Sequence, residues 1–316
     1  MPTSILSLLN GAKGAFSFTH DDGGPGNWHH AARILHNHGL TGTFYLIGAS
    51  VNSWYSDTGK PLPDWKFHVP QVFAARDMGH EIACHTYNHK RLTTLTPQEV
   101  EQQYALNRDY FAKWGIRLIG HAYPNGATND EIQAIAAQYV QFARGVAPLA
   151  QNPLEWSEIN PLDIRLSATA DAMISAIDAA VAGNTWGIGV FHIVGDLGYP
   201  ASQYEQIIAY AAQKVESGDL WVATFSDVAQ YLRQRSSATV AEKVVSGGLS
   251  VSLKTTGSLD FLVPMTLITD VALPVSGVSQ SGMSIPWEIV GQAVRYDAIP
   301  NAGDVVIAYS QQTTGV

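Results

Sequence analysis

Ala15-Phe16-Ser17-Phe18-Thr19-His20-Asp21-Asp22-Gly23 is an apolar run that ends in two adjacent carboxylates. Its first four residues are typical of a buried strand. A second run, Glu81-Ile82-Ala83-Cys84, leads in the same way into His85-Thr86-Tyr87-Asn88-His89, which carries two imidazoles four residues apart. One carboxylate and two neutral imidazoles suit Zn²⁺ and leave a coordination position open for water. The spare carboxylate can then accept the proton that this water loses.

Each cluster also has an ordinary interpretation. Asp-Asp-Gly is common in turns that cap a helix, and paired histidines are common on protein surfaces. The metal hypothesis rests on the context that the two clusters share, because each follows a strand-like run and precedes a polar loop. The other histidines lack this context. We expect a solvated helix for His29, His30, His36 and His38, and structural roles for His68 and His80.

The composition indicates a folded protein with a neutral or cationic partner. The chain has 316 residues, of which 46% are apolar, and a formal net charge of −9. This length suggests one large domain with a smaller one, or two domains. The negative charge, without any block of lysine and arginine, argues against nucleic acid and anionic membrane as partners. No apolar run approaches the ~18 residues of a membrane span.

The single cysteine, Cys84, excludes an internal disulfide framework. Because it lies within a predicted strand, we expect a small buried apolar residue rather than a ligand or nucleophile. The N-terminus lacks a basic region followed by an apolar one. Localisation therefore stays open, with a secreted or periplasmic protein whose signal was removed slightly favoured over a cytoplasmic one. Nothing in the sequence predicts an oligomeric state.

Helices and strands alternate along the first 236 residues. Capping-box patterns predict three helix starts, at Thr96, Thr128 and Ser202, each with glutamate three residues later. Strand-like runs lie between the predicted helices at 43–47, 116–119, 140–142, 164–166, 186–191 and 220–224. The pattern predicts an α/β fold with a parallel sheet, a barrel or near-barrel. In such barrels the chemistry gathers at the carboxyl ends of the strands.

The remainder, residues 237–316, has a different character. Short alternating runs are broken by Gly, Pro and Ser without helical periodicity. We predict a small antiparallel β domain, most simply a sandwich. Carbohydrate binding, covering of the barrel and association are its alternative roles.

Four motifs in order resemble the polysaccharide deacetylase family, the NodB-homology fold of carbohydrate esterase family four. They are Thr19-His20-Asp21-Asp22-Gly23, His85-Thr86-Tyr87-Asn88-His89, His121-Ala122-Tyr123-Pro124-Asn125-Gly126 and Phe191-His192. The third is similar to the Phe-Ala-Tyr-Pro branch of the family. The resemblance covers residues 14 to about 235 and implies a distorted (β/α) barrel of seven or eight strands.

The resemblance also implies roles for individual residues. Asp21 would be the general base, and His192 the general acid that protonates the leaving group. Asp22, His85 and His89 would hold the metal, with Zn²⁺ favoured and Co²⁺ or another transition metal as alternatives. The backbone amide of Asn125 would help to hold the oxyanion, and Tyr123 and Pro124 of the same motif are expected as outer partners of the site.

Three positions depart from the family pattern. His20 stands where the family usually has phenylalanine, so that it either supports the carboxylates or packs at the barrel rim. Ala122 occupies the position of the arginine that usually orients the base, and we expect Arg165, or else Arg144, to replace it. No aspartate partner of His192 is evident, although Asp163 and Asp196 are candidates.

We therefore expect a metal-dependent hydrolase that removes acetyl groups from an oligo- or polysaccharide, either N-acetyl groups of GlcNAc-type glycans or O-acetyl groups of xylan-type glycans. Aromatic residues in an irregular loop are expected to contact the sugar, namely Trp54, Tyr55 and Trp65. A non-catalytic carbohydrate-binding protein and an amidase for a non-sugar N-acyl substrate are the alternatives. A serine hydrolase is excluded by the absence of a G-x-S-x-G motif.

Overall fold

The computed structural model describes residues 2–24, 26–51, 66–146, 155–159, 164–166, 169–256, 261–271 and 274–310, and only the backbone of 164–166. Its strands are β1 (Thr3–Ile5), β2 (Gly14–His20), β3 (Thr43–Leu46), β4 (Glu81–Cys84), β5 (Gly120–Ala122), β6 (Phe142–Arg144), β7 (Ile164–Leu166), β8 (Trp186–Phe191), β9 (Leu220–Val222), β10 (Thr239–Val245), β11 (Gly248–Lys254), β12 (Met265–Asp270), β13 (Val275–Gln280), β14 (Met283–Ser284), β15 (Trp287–Val290), β16 (Ala293–Ala298) and β17 (Val305–Tyr309). Its helices are α1 (Arg33–Asn37), α2 (Val69–Asp77), α3 (Pro97–Ala112), α4 (Asp130–Ala136), α5 (Ala170–Gly183), α6 (Ala201–Glu216) and α7 (Phe225–Ser237).

A curled parallel sheet organises residues 13–228. Its strand order is β6-β5-β4-β3-β2-β8-β7, and β9 also pairs with β2. Every residue of β2 is buried, including the polar residues Ser17, Thr19 and His20, because helices cover a parallel sheet and enclose its central strands. The predicted α/β fold with a distorted barrel is confirmed.

The carboxyl ends of these parallel strands meet at one edge of the sheet. β2 ends at His20 and β4 at Cys84, and only β3 lies between them. β5 ends at Ala122 and β8 at Phe191, so that all four motifs of the sequence begin within or directly after a strand at this edge. The topology alone therefore gathers residues that are far apart in the chain.

The helix starts agree only in part with the sequence. At α3 the Thr96 side chain accepts the Glu99 amide, and Glu99 accepts the Thr96 amide, as a capping box requires. The other two predicted starts are wrong. Asn129, not Thr128, caps α4 through its side chain, and α6 begins after Pro200 without a side-chain cap, one residue before Ser202.

The second unit consists of residues 1–12 and 229–316. It contains two antiparallel sheets, with strand orders β1-β12-β16-β15 and β10-β11-β17-β13-β14. Strand β1 pairs with β12 through Thr3 and Thr269, although the sequence assigned residues 1–12 to the barrel. The division at residue 228 also lies before the expected boundary at 236.

None of the helices in the described residues is long and apolar enough to cross a bilayer.

Candidate metal centre

Three potential metal ligands converge at the strand ends. The Nε2 atoms of His85 and His89 lie 3.4 and 3.3 Å from Oδ1 of Asp22. One donor atom of each side chain lies within 4.8 Å of the others. His85 is 2% exposed, whereas Asp22 and His89 are half-buried. The structure thus brings together the carboxylate and the two imidazoles selected from the sequence.

The backbone bends sharply to achieve this convergence. Asp22, Thr86 and His89 have φ angles of 68°, 63° and 53°, in the left-handed region that favours glycine. Such conformations cost about 1–3 kcal/mol each and persist only where surrounding contacts impose them. Oγ1 of Thr86 accepts the His89 amide at 3.1 Å and fixes the turn between the two histidines.

Two hydrogen-bond acceptors of the site, Nε2 of His85 and Oδ1 of Asp22, face one another. Nδ1 of His85 donates to the Ala122 carbonyl at 2.7 Å, which leaves Nε2 of the neutral ring as a bare lone pair. Oδ1 of Asp22 is buried and has no hydrogen-bond partner among the described residues. Two acceptors at 3.4 Å repel unless a cation or a proton lies between them.

The pKa shifts favour the same state. Burial tends to raise the pKa of Asp22, but the two imidazoles beside it bring it below its usual range. Burial, followed by the charge of His85, lowers the pKa of His89. An ionised carboxylate and a neutral imidazole are the forms that bind a metal. The donor set therefore fits Zn²⁺.

The neighbouring carboxylate, Asp21, is held by Arg144. Nη2 of Arg144 donates to both carboxylate oxygens of Asp21, at 2.7 Å to Oδ2. Arg144 is fully buried, and its guanidinium lies 5.0 Å from the ring centre of Tyr45. Burial tends to raise the pKa of Asp21, but the charges of Arg144, His85 and His192 hold it below its usual range. Of the two arginines considered from the sequence, Arg144 is the one whose contact with Asp21 the structure describes, and the side chain of Arg165 lies outside the described residues.

His192 follows β8 and is exposed. It is close enough for its charge to act on Asp21. It also lines a cavity of about 470 Å³ together with Phe191, Leu197, Tyr199 and Gln203. Asp196 is exposed, and no hydrogen bond between it and His192 occurs in the described part of the chain. The other candidate partner, Asp163, lies outside the described residues.

Sequence comparison matches part of the barrel to a known family. Residues 10–141 match the family model described as polysaccharide deacetylase. These residues belong to the polysaccharide deacetylase family. YxkH, a provisionally named polysaccharide deacetylase of Bacillus subtilis (strain 168), is 27% identical over 129 residues. That match covers 40% of this chain and 42% of YxkH, so the similarity spans less than half of the relative's length.

Solved structures are similar to this chain over a longer region. A family 4 carbohydrate esterase from Streptomyces lividans in complex with acetate is 19% identical, with a TM-score of 0.46 and coverage of 67% of this chain and 92% of that one. The peptidoglycan deacetylase PdaC from Bacillus subtilis is 19% identical, with a TM-score of 0.45 and coverage of 71% and 93%.

The third polysaccharide deacetylase motif forms a tight turn after β5. Asn125 is exposed and has a φ angle of 58°. Pro124 and Tyr123 are buried, and the Tyr123 hydroxyl donates to the Ser157 carbonyl at 2.5 Å. The turn lies beside Ala122, whose carbonyl orients His85.

His20 takes the packing role of its two alternatives. Its ring stacks between Phe44 and Phe191, at 4.7 and 5.6 Å between ring centres. Nε2 accepts from the Tyr204 hydroxyl at 2.9 Å, and burial lowers the pKa of His20 to about 3. The imidazole is therefore a neutral core residue of the barrel.

Some predicted contacts cannot be placed. Trp54, Tyr55 and Trp65 lie outside the described residues, and for Arg165 only the backbone, in β7, is described. Conversely, the sequence analysis did not single out the Ala122 carbonyl. The signal for it in the sequence is the third motif, because the carbonyl of the last residue of β5 is positioned to accept from the segment that follows the neighbouring strand β4.

Proposed function

We propose that this chain is a metal-dependent hydrolase that removes acetyl groups from an acetylated carbohydrate. The observation that carries the proposal is the bare Nε2 of His85 facing the unpartnered Oδ1 of Asp22 at 3.4 Å, with Nε2 of His89 at 3.3 Å. Nε2 of His85 and Oδ1 of Asp22 both act as acceptors in this arrangement, and a cation between them relieves their repulsion. Membership of residues 10–141 in the polysaccharide deacetylase family supports the reaction class.

Asp22, His85 and His89 would hold the ion, for which we favour Zn²⁺. When bound, such an ion polarises an acyl carbonyl and makes water more acidic, with a pKa near ~7 in zinc enzymes. The protein holds His85 in the tautomer that a metal ligand requires. The Ala122 carbonyl fixes the His85 tautomer, which orients the ligand atom without consuming it.

Asp21 is assigned as the base that receives the proton of the attacking water. Arg144 keeps this carboxylate ionised and fixes its orientation from inside the barrel. The same contact makes Asp21 a weaker base, since it stabilises the charged form. Arg144 therefore sets a compromise between the orientation of the base and its proton affinity.

His192 is assigned as the acid that protonates the leaving group. Its exposed imidazole lies close enough for its charge to act on Asp21, so that an amine or alkoxide departing beside Asp21 can receive its proton. An imidazole is the side chain best matched to donate a proton near neutral pH. The left-handed turn at Asn125 presents a backbone amide that we assign to the oxyanion.

The presence of both Asp21 and His192 argues against a purely binding role, because sugar binding requires neither a proton acceptor nor a proton donor beside the proposed metal ligands. The acetyl linkage is left as either amide or ester, since the same residues serve both. An N-acyl substrate without a sugar is the remaining alternative.

Acetate release from chitooligosaccharides, acetylxylan and peptidoglycan fragments, with and without added Zn²⁺ or Co²⁺, tests the proposal. We expect metal-stimulated release from at least one of the three, and none after His85→Ala. His29→Ala, at an exposed histidine outside the site, is the matched control. If zinc binds but no acetylated glycan reacts, the deacetylase assignment is wrong and the non-sugar amide becomes the substrate to test.

A further inference from the structure

Helix α3 carries an unusual buried face. Gln103, Tyr104 and Asn107 are 4%, 1% and 0% exposed, and residues 103 and 107 lie one helical turn apart. Buried polar side chains destabilise a protein unless they are hydrogen-bonded. The partners of their hydrogen bonds therefore indicate the role of these three side chains.

Two of these side chains bind the segment that contains the histidine ligands. Oε1 of Gln103 accepts the backbone amide of Asn88 at 2.9 Å, directly before His89. Nδ2 of Asn107 donates to Sγ of Cys84 at 3.2 Å, directly before His85. The same sulfur accepts the Thr86 amide at 3.4 Å. One helix thus holds the two ends of the 85–89 turn.

The third side chain, that of Tyr104, contacts strand β5 through His121. The Tyr104 hydroxyl donates to Nε2 of His121 at 3.0 Å, and Nδ1 of His121 donates to the Cys84 carbonyl at 3.1 Å. His121 is neutral, because burial lowers its pKa well below the usual value. Its neighbour Ala122 supplies the carbonyl that orients His85.

The turn needs such support, because two of its five residues are in the left-handed region without being glycine. Its outer carbonyls, of Thr86 and Tyr87, accept the amides of Gly48 and Ala49 at 3.3 and 2.9 Å. Oε1 of Gln103 accepts the amide of Asn88, next to His89. Loss of that acceptor leaves the Asn88 amide without this partner and removes a constraint on a strained conformation.

We propose that Gln103 and Asn107 are positioning residues for the two histidine ligands, acting through the backbone of the 85–89 turn. This inference rests on the proposed metal-dependent function. It assigns to α3 a role that no motif of the sequence indicates, since both residues lie between the second and third motifs.

Zinc affinity, measured by competition with a chromophoric chelator, tests the proposal without reference to activity. Gln103→Met keeps the length of the side chain but has no acceptor for Asn88, whereas Gln103→Glu keeps the acceptor. We expect about tenfold weaker zinc binding for Gln103→Met, the lower end of losses seen for outer partners of metal ligands. Gln103→Glu should bind within a few-fold of wild type.

Val100→Ala is the matched control, because Val100 is 1% exposed on the same face of α3 and its apolar side chain belongs to the hydrophobic core. It should lower thermal stability but leave zinc affinity unchanged. The absorption spectrum of the Co²⁺ form should change in Gln103→Met and not in Val100→Ala. Asn107→Leu, which lacks the donor to Cys84, should weaken zinc binding in the same direction and serves if Gln103→Met does not fold.

Two results would overturn the inference and are distinguishable. Wild-type zinc affinity in folded Gln103→Met reduces Gln103 to a helix-packing residue and leaves the proposed function intact. Failure of the wild-type chain to bind zinc or cobalt overturns the inference together with the proposed metal dependence.

Discussion

Arg144 donates to both carboxylate oxygens of Asp21, and the two side chains are 0% and 8% exposed. A buried ion pair of this kind stabilises little by itself, but removal of one partner leaves an uncompensated charge. The pair therefore ties the conformation and the ionisation of Asp21 to a residue at the end of β6.

Arg144→Met should impair both folding stability and catalysis. We expect a loss of about 3–5 kcal/mol in the free energy of unfolding, as for other broken buried pairs. Because the carboxyl group stays buried without its cation, the pKa of Asp21 rises and the acid limb of kcat/KM moves to higher pH. Urea unfolding and a pH–rate profile measure the two effects. Arg108→Met, at an exposed pair with Asp109, should change neither; an unshifted acid limb in Arg144→Met would remove Asp21 from the role of base.

The two adjacent aspartates should separate metal binding from turnover. Asp21→Asn removes a proton acceptor, so it should bind zinc normally and lose about 10²–10⁴-fold in kcat. Asp22→Asn removes the carboxylate that faces both histidines and should bind zinc poorly. Chelator competition and acetate release, measured on both variants, give the comparison. Normal turnover in Asp21→Asn would mean that another group accepts the proton.

The position of the site at the carboxyl ends of parallel strands explains how much of it could be predicted from the sequence. Asp22 and His85 follow two apolar runs, and parallel strands place their ends together whatever the intervening loops do. Arg144 was harder to select, because the predicted strand at 140–142 lies two residues before the observed β6. That shift places Arg144 within the strand, at its end, whereas the predicted strand ends two residues before it. The direction of a side chain outside a strand is not fixed by the alternation of the strand.

Other features depend on contacts distant in sequence. β1 exists because Thr3–Ile5 pairs with β12, and three residues carry no periodicity of their own. The choice between the two roles of His20 followed from aromatic rings of β3 and β8 on either side of it. The helix start at Asn129 instead of Thr128 reflects two adjacent residues that can both cap.

His80 should make the protein sensitive to acid. Its Nε2 donates to the Ala32 carbonyl and its Nδ1 accepts the Gly42 amide, at 2.9 and 3.1 Å. Burial lowers the pKa of His80 from 6.5 to about 4. The unfolded chain therefore binds this proton first as the pH falls. The contribution to stability is complete above pH 6.5 and is lost as the pH falls from 6.5 to about 4.

His80→Gln should flatten this pH dependence by up to about 3 kcal/mol between the two limits, at 1.36 kcal/mol per unit of pKa. Urea unfolding at a series of pH values measures the slope. His29→Gln, at an exposed position, should reproduce the wild-type slope. A slope in His80→Gln as steep as that of the wild type would show that other groups cause the acid sensitivity.

Cys84 should be unreactive in the folded protein. The thiol is 2% exposed, and burial raises its pKa to about 11. Because the thiolate is the reactive form, iodoacetamide at pH 8 should label the native chain far more slowly than the chain in guanidinium, as followed by mass spectrometry. Equal rates would mean that the 84–89 segment opens readily, which would contradict a preformed turn.

Asn125 and Gly126 should distinguish a backbone contribution to the oxyanion from a side-chain one. Asn125 is exposed with a φ angle of 58°, a conformation that glycine adopts without strain. If only its backbone amide acts, Asn125→Gly should keep kcat within a few-fold of the wild-type value.

Gly126 has a φ angle of 63°, and a Cβ there would lie 2.1 Å from Cγ2 of Val146. Gly126→Ala should therefore shift the turn and lower kcat by about 10²–10³, the loss expected for one oxyanion donor, with zinc affinity unchanged. A large loss of kcat in Asn125→Gly would assign the contribution to the amide side chain, because that substitution keeps the backbone donor and relieves its strain.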